Sequence, residues 1–154
     1  MTHTITRRTL MASGLAGGFG AINPDRQEIG KMSENERLVR EFIKAWSRLD
    51  AAELASYFAE DGCYINIPTQ PVCGRANIEK MIGAFIGTWT ETVWEVKTMI
   101  AAGDVVIAER LDKTKTTKGN IDLPCVGIFE LRAGKIGQWR DYFDLSTFRN
   151  AMKG

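Results

Sequence analysis

Between Glu91 and Leu145 the chain is rich in Val, Ile, Thr and aromatic residues. Three turn signals cut that run: Gly103-Asp104, Lys118-Gly119-Asn120 and Ala133-Gly134. Connections that short join neighbouring antiparallel strands. The spacing predicts four strands, over 91–101, 105–116, 121–132 and 135–144, laid side by side as a meander. A sheet of this kind has an apolar face that a second layer must cover.

The second layer comes first in the chain. Ser33 and Glu36 have the spacing of a capping box. Leu38, Val39, Phe42, Ile43, Trp46 and Leu49 follow at helical spacing, which predicts a helix over 34–48. Asp50 with Glu53 repeats the start signal, and Leu54, Tyr57 and Phe58 continue a second, short helix as far as Asp61-Gly62. Cys63 to Ile67 reads as a short strand stopped by Pro68 and Pro71. After Gly74 a third helix carries Ile78, Met81, Ile82, Phe85 and Ile86, and Ser146 is placed to cap a closing helix through Met152. Helices first and a meander later predict an α+β domain with helices on one face of a curved sheet.

Composition narrows the chemistry. The 154 residues are 44% hydrophobic and 25% charged, with a net charge of +1 and the two signs interspersed. That describes one globular domain without a basic nucleic-acid groove. The three cysteines form no C-x-x-C pair and the single histidine is His3, so neither a Cys/His zinc site nor a Cys–His nucleophile is expected. No metal or organic cofactor is called for. Cys63, Cys73 and Cys125 read as small buried hydrophobes, and a Cys63–Cys73 bridge becomes worth testing if the chain is exported.

Residues 1–31 stand apart from 32–154. Arg7-Arg8 precede the glycine-rich run Ala12–Ile22, which is similar to a bacterial twin-arginine export signal but lacks a clean A-x-A cleavage site. The run is too short and too rich in glycine to span a bilayer as a stable helix. Export and translation from Met32 in the cytoplasm both stay open.

Strand alternation gathers the ionisable candidates. Val106, Ala108, Arg110 and Asp112 share one face of their strand; Trp139, Asp141 and Phe143 share one face of the last strand. Two carboxylates and an arginine among apolar neighbours either meet in a pocket, where one guanidinium can hold both acids, or face solvent as ordinary strand charges. Tyr64 and Asn66 also share a face and can hold a water, although Ile65 and Ile67 opposite them are the usual core side. Met81, Phe85, Trp89 and Phe129 read as core. Trp94 and Trp139 read as core first and pocket wall second, and Lys113–Lys118 as a solvated hairpin tip.

The segments Tyr64-Ile-Asn66-Ile-Pro68, Glu109-Arg110-Leu-Asp112 and Trp139-Arg-Asp141-Tyr-Phe-Asp144-Leu resemble limonene-1,2-epoxide hydrolases. The Tyr57-Phe58-Ala-Glu-Asp61 entry, Gly74-Arg75 and Gly127-Ile-Phe129 extend the resemblance over about 33–150. It implies a nuclear transport factor 2-like cone: a bent mixed sheet with three to four helices around a deep apolar pocket, in a homodimer. It also implies roles: Asp141 as base, Tyr64 and Asn66 holding the attacking water, Asp112 as acid, and Arg110 bridging the carboxyls. Substrate and partner would be a small apolar epoxide and water, with no nucleic acid, membrane or cofactor. A ketosteroid isomerase- or polyketide cyclase-like carbon-acid enzyme and a binding module are the alternatives that the same fold hosts.

Overall fold

The computed structural model describes residues 32–153, with side chains as far as Asn150. The reading of residues 1–31 lies outside them. Helix α1 (Glu34–Ala45) starts as the capping box requires, with Ser33 Oγ accepting the Glu36 N–H at 3.0 Å. Its apolar stripe buries Val39, Phe42 and Ile43. A single 3-10 turn, Trp46–Arg48, ends at Leu49 in the left-handed region, and Asp50 caps helix α2 (Ala51–Ser56) through the Glu53 N–H. Helix α3 covers Arg75–Ile86 and helix α4 covers Leu145–Lys153.

Six strands form one mixed sheet: β1 (Phe58–Asn66), β2 (Val72–Cys73), β3 (Trp89–Ala102), β4 (Val105–Thr116), β5 (Gly119–Arg132) and β6 (Lys135–Phe143), in the order β2-β1-β6-β5-β4-β3. β3 to β6 are the expected meander, and β1 joins it parallel to β6. Register shifts at Val96/Thr98 and Glu130/Leu131 bend the long strands, as bulges do. The sheet curves around α1 and α3. Phe42, Trp46, Phe58, Ile82, Phe129 and Trp139 fill the space between, each fully buried. Phe42 meets Trp46, Phe58, Phe129 and Trp139 edge-on at centroid distances of 5.1–6.1 Å, the arrangement that aromatic quadrupoles favour.

Several expectations are corrected. Phe58 is not the end of a helix: α2 stops at Ser56, and β1 begins eight residues before Asn66. The cause is a non-local partner, since β6 offers Phe58 a place opposite Ile136, and the Ile136 N–H donates to Tyr57 O at 2.9 Å. Gly62 is carried inside this strand because a Cβ there would lie 2.9 Å from Ile136 O. Val72–Cys73 forms an edge strand, with Cys73 opposite Cys63 at a Cα separation of 4.1 Å, and the two are disulfide-bonded rather than buried thiols. Helix α4 is capped by Asp144, not Ser146: Oδ1 accepts the Ser146 N–H at 2.8 Å and Oδ2 the Thr147 hydroxyl at 2.8 Å.

The bridge closes a loop with a sequence separation of 10 on the free edge of the sheet. Replacing both cysteines (C63A/C73A) is expected to lower stability by about 2–3 kcal/mol in urea unfolding, from loop entropy returned to the unfolded chain. An unchanged midpoint would mean that the bridge does not form in the protein.

Candidate active site

The inward face of β4 presents Val106, Ala108, Arg110, Asp112 and Thr114 in succession, all buried, while Val105, Ile107 and Glu109 face out. Strand alternation thus turns the charged end of β4 into the domain. The Arg110 side chain is wholly buried. Its Nε donates to both oxygens of Asp112 at 2.9 and 3.2 Å, and Nη2 donates to Asp112 Oδ2 at 3.1 Å. The same Nη2 donates to Asp141 Oδ2 on β6 at 2.5 Å, two strands away. Asp141 Oδ1 accepts the Trp139 indole N–H at 2.9 Å. The guanidinium also lies 4.6 Å from the Trp94 ring centroid and 5.5 Å from that of Trp139, within cation–π reach. Of the two arrangements the residue pattern allowed, the buried one holds.

Burial dominates the electrostatics. It pushes Asp141 up to about 6, against the pull of Arg110 in the other direction, and it raises Asp112 as well. Burial alone would lower Arg110, but the two carboxyls outweigh it and hold the guanidinium charged. One proton shared by the two acids leaves the triad neutral, which is the inexpensive way to keep three ionisable groups out of water.

Tyr64 and Asn66 reach the same place from β1. Asn66 pairs with Asp141 across the parallel ladder and Tyr64 with Trp139. The Tyr64 and Trp139 rings stack at 4.0 Å and 3°, and burial, then the nearby Asp141 charge, keeps the phenol well above its ordinary pKa. All four expected polar groups, Tyr64, Asn66, Asp112 and Asp141, line one pocket. Arg110 sits behind the carboxyls rather than in the wall. Ile65, on the other side of β1, is also buried, so both faces of that strand are covered.

Phe85, Trp89 and Trp94 pack against the core, as expected, and also line the pocket; Met81 packs against the core and Phe129 lies within it. Phe143 lines the pocket from the strand face it shares with Asp141, while Phe148 on α4 and Thr114 from the supposed solvated tip are walls that the sequence reading did not single out. Phe148 stacks on Phe85 with centroids 5.7 Å apart. The enclosed space is about 30 Å³, room for roughly two waters.

Asp112, Cys125 and Asp141 place ligand-type atoms within 4.8 Å of one another, yet the set does not suit a metal ion. The guanidinium already supplies the cation between the carboxyls, and burial raises the Cys125 thiol so that it stays protonated. The residue that makes room for the triad is Gly127, opposite Ala108 on β4 and Asp141 on β6. A Cβ there would lie 2.5 Å from Arg110 Nη1 and 2.9 Å from Asp141 Oδ1. Gly127→Ala is therefore expected to destabilise by about 1–3 kcal/mol through overpacking, and urea unfolding reads that directly. Arg110→Ala is expected to lose about 3–5 kcal/mol at neutral pH. The defect should shrink as pH falls toward about 6: Arg110 holds Asp141 down, so without it the carboxyl takes up its proton at a higher pH than in the unmodified protein and the repulsion is relieved earlier. A pH-independent defect would show that the carboxyls do not depend on the guanidinium.

Solved structures share this architecture. An LEH-like epoxide hydrolase from M. tuberculosis superposes with a TM-score of 0.68 at 24% identity, over 79% of this chain and 91% of the other. An NTF2-like protein of unknown function from Burkholderia pseudomallei gives 0.72 at 18% identity, over 80% and 100%. A hypothetical protein with a ketosteroid isomerase-like fold from Catenulispora acidiphila, in complex with trimethylamine, gives 0.66 at 21%, over 71% and 87%. At these identities the likeness establishes the fold: nuclear transport factor 2-like, with SnoaL-like neighbours. The family model for the limonene-1,2-epoxide hydrolase catalytic domain matches residues 33–153, which span every helix and strand of the described fold. The chain belongs to the limonene-1,2-epoxide hydrolase family.

Proposed function

We propose that this protein is a cofactor-independent epoxide hydrolase that adds water to a small cyclic or terpenoid epoxide and releases a vicinal diol. The observation that carries the reading is one buried guanidinium held between two carboxyls, one of them in register with Asn66. Ring opening needs a nucleophile at carbon and a proton for the departing oxygen. Two carboxyls with a single proton between them answer both needs: the ionised one makes a water nucleophilic by taking its proton, and the protonated one gives its proton to the departing oxygen.

In this mechanism a water rests on Asn66, the Tyr64 hydroxyl and Asp141. Asp141 takes a proton from it as its oxygen bonds to an epoxide carbon. The carbon–oxygen bond of the ring breaks, and Asp112 gives its proton to the oxygen that leaves. Asp141 ends protonated and Asp112 ionised, and Arg110 stabilises whichever carboxyl holds the charge while the proton returns. A water donating to Asp141 favours its ionised form, which opposes the upward push of burial and readies the base. A carbon-acid isomerase would use one aspartate and an oxyanion donor, and would leave the second carboxyl and the arginine without work.

The outward face of the sheet exposes Val105, Ile107, Val126 and Tyr142 as large apolar groups. Val126 and Tyr142 are directly opposed on β5 and β6, and Ile107 on β4 is one diagonal step from Val126, with Val105 two positions further along the same strand face. We assign this face to a second copy of the chain, and light scattering should give a dimer mass that Ile107→Lys reduces to a monomer. A monomer in the unmodified protein would contradict the assignment.

Limonene-1,2-epoxide and cyclohexene oxide should both yield diol with EDTA present. Asp141→Asn and Asp112→Asn are each expected to lose about 10²- to 10⁴-fold while thermal unfolding stays cooperative. Near-normal rates in either variant would overturn its role. Because Asp141 must be ionised to act, activity should rise as pH increases through about 6.

A further inference from the structure

Beside the Trp89 indole and the Cys125 thiol, Thr114 is a polar pocket wall that the proposed mechanism does not use. It is 5% exposed and stands two positions beyond Asp112 on the same face of β4. Across the ladder its hydroxyl lies 2.7 Å from that of Thr92 on β3. Thr92 Oγ1 in turn accepts the Trp94 indole N–H at 3.1 Å and donates to Lys113 O at 3.1 Å.

A hydroxyl has one proton and two acceptor positions. Thr92 gives its proton to Lys113 O and accepts from Trp94, so its remaining position takes the proton of Thr114. This is the only arrangement in which all three donors, Trp94 Nε1 and the two hydroxyls, are satisfied together. It leaves the Thr114 oxygen as a pure acceptor on the pocket wall. No donor among the described residues fills it: the Thr92 contact is the hydrogen bond that the Thr114 side chain makes. Ile121, opposite it on β5, together with Leu123 and Phe143 contributes apolar wall to the same pocket. A buried acceptor in such surroundings favours a ligand that brings a donor.

We propose that Thr114 selects epoxides bearing a hydroxyl a few bonds from the ring oxygen, over plain hydrocarbon epoxides of the same shape. The inference rests on the epoxide hydrolase reading and refines its substrate class. Asp112 addresses the epoxide oxygen, and Thr114 lies two strand positions further on, about 7 Å along the backbone. A hydroxyl on the far side of a six-membered ring therefore falls within its reach. Thr114 acts on substrate choice, not on the chemical step.

The test compares 3,4-epoxycyclohexanol with 4-methylcyclohexene oxide, which differ by a hydroxyl in place of a methyl. The unmodified protein should prefer the hydroxy compound by roughly 5- to 10-fold in kcat/KM. Thr114→Val, which keeps the shape, should erase that preference while retaining turnover of the methyl compound. Thr114→Ser, which keeps the hydroxyl, should keep the preference; a purely structural Thr92–Thr114 pair would instead make Thr114→Val slow both compounds alike, with their ratio unchanged. Equal preference ratios in the unmodified protein and Thr114→Val overturn the inference and leave the hydrolase reading intact. If the unmodified protein opens neither epoxide, the hydrolase reading falls and the inference falls with it.

Discussion

The contact on which the rest of this structure depends is that of Arg110 with Asp112 and Asp141. A guanidinium with no exposed side-chain surface is sustainable only where its charge is answered, and here two acids, through Nε and Nη2, and two tryptophan faces answer it. The surrounding sequence serves that contact. Gly127 clears the ground between β4 and β6, and Trp139 both packs the core and donates to Asp141. Nη1 of Arg110 is the group left without a hydrogen bond, and it points at the space that a larger residue at Gly127 would fill.

This arrangement also decides where chemistry can happen. The carboxyls line the pocket with the arginine behind them, so an incoming ligand meets two acids and finds their counter-charge out of reach of solvent. In so dry a site each proton and each hydrogen bond weighs more than it would in water. The enclosed volume of about 30 Å³ is far below the roughly 300–1,000 Å³ of a typical ligand pocket.

Much of this could be read before any coordinates. The meander was legible because its turns are local, and the parity of Arg110, Asp112 and Asp141 was legible because alternation along a strand is local too. Whether that face looked inward was not, since the same pattern fits a solvated ion pair; the cross-strand contact decides it. Tyr64 and Asn66 also shared a face, but with Ile65 and Ile67 on the usual core side parity left their role open, and the resemblance gave them one. What stayed hidden was long-range. The start of β1 at Phe58 depends on β6, the Cys63–Cys73 bridge on an edge strand two residues long, and the need for Gly127 on side chains from two other strands. Thr114 was lost for a different reason: the lysines flanking it do face outward and pair with Glu91 and Glu95, and they disguised a strand end as a loop.

In the proposed mechanism the aspartates move protons and water attacks the epoxide directly. A single turnover of cyclohexene oxide by excess protein in ¹⁸O-labelled water should then give a first diol that carries one labelled oxygen, with Asp112 and Asp141 left unlabelled. Unlabelled diol in that first turnover would mean that a carboxylate oxygen had attacked through a covalent ester, and would contradict that mechanism.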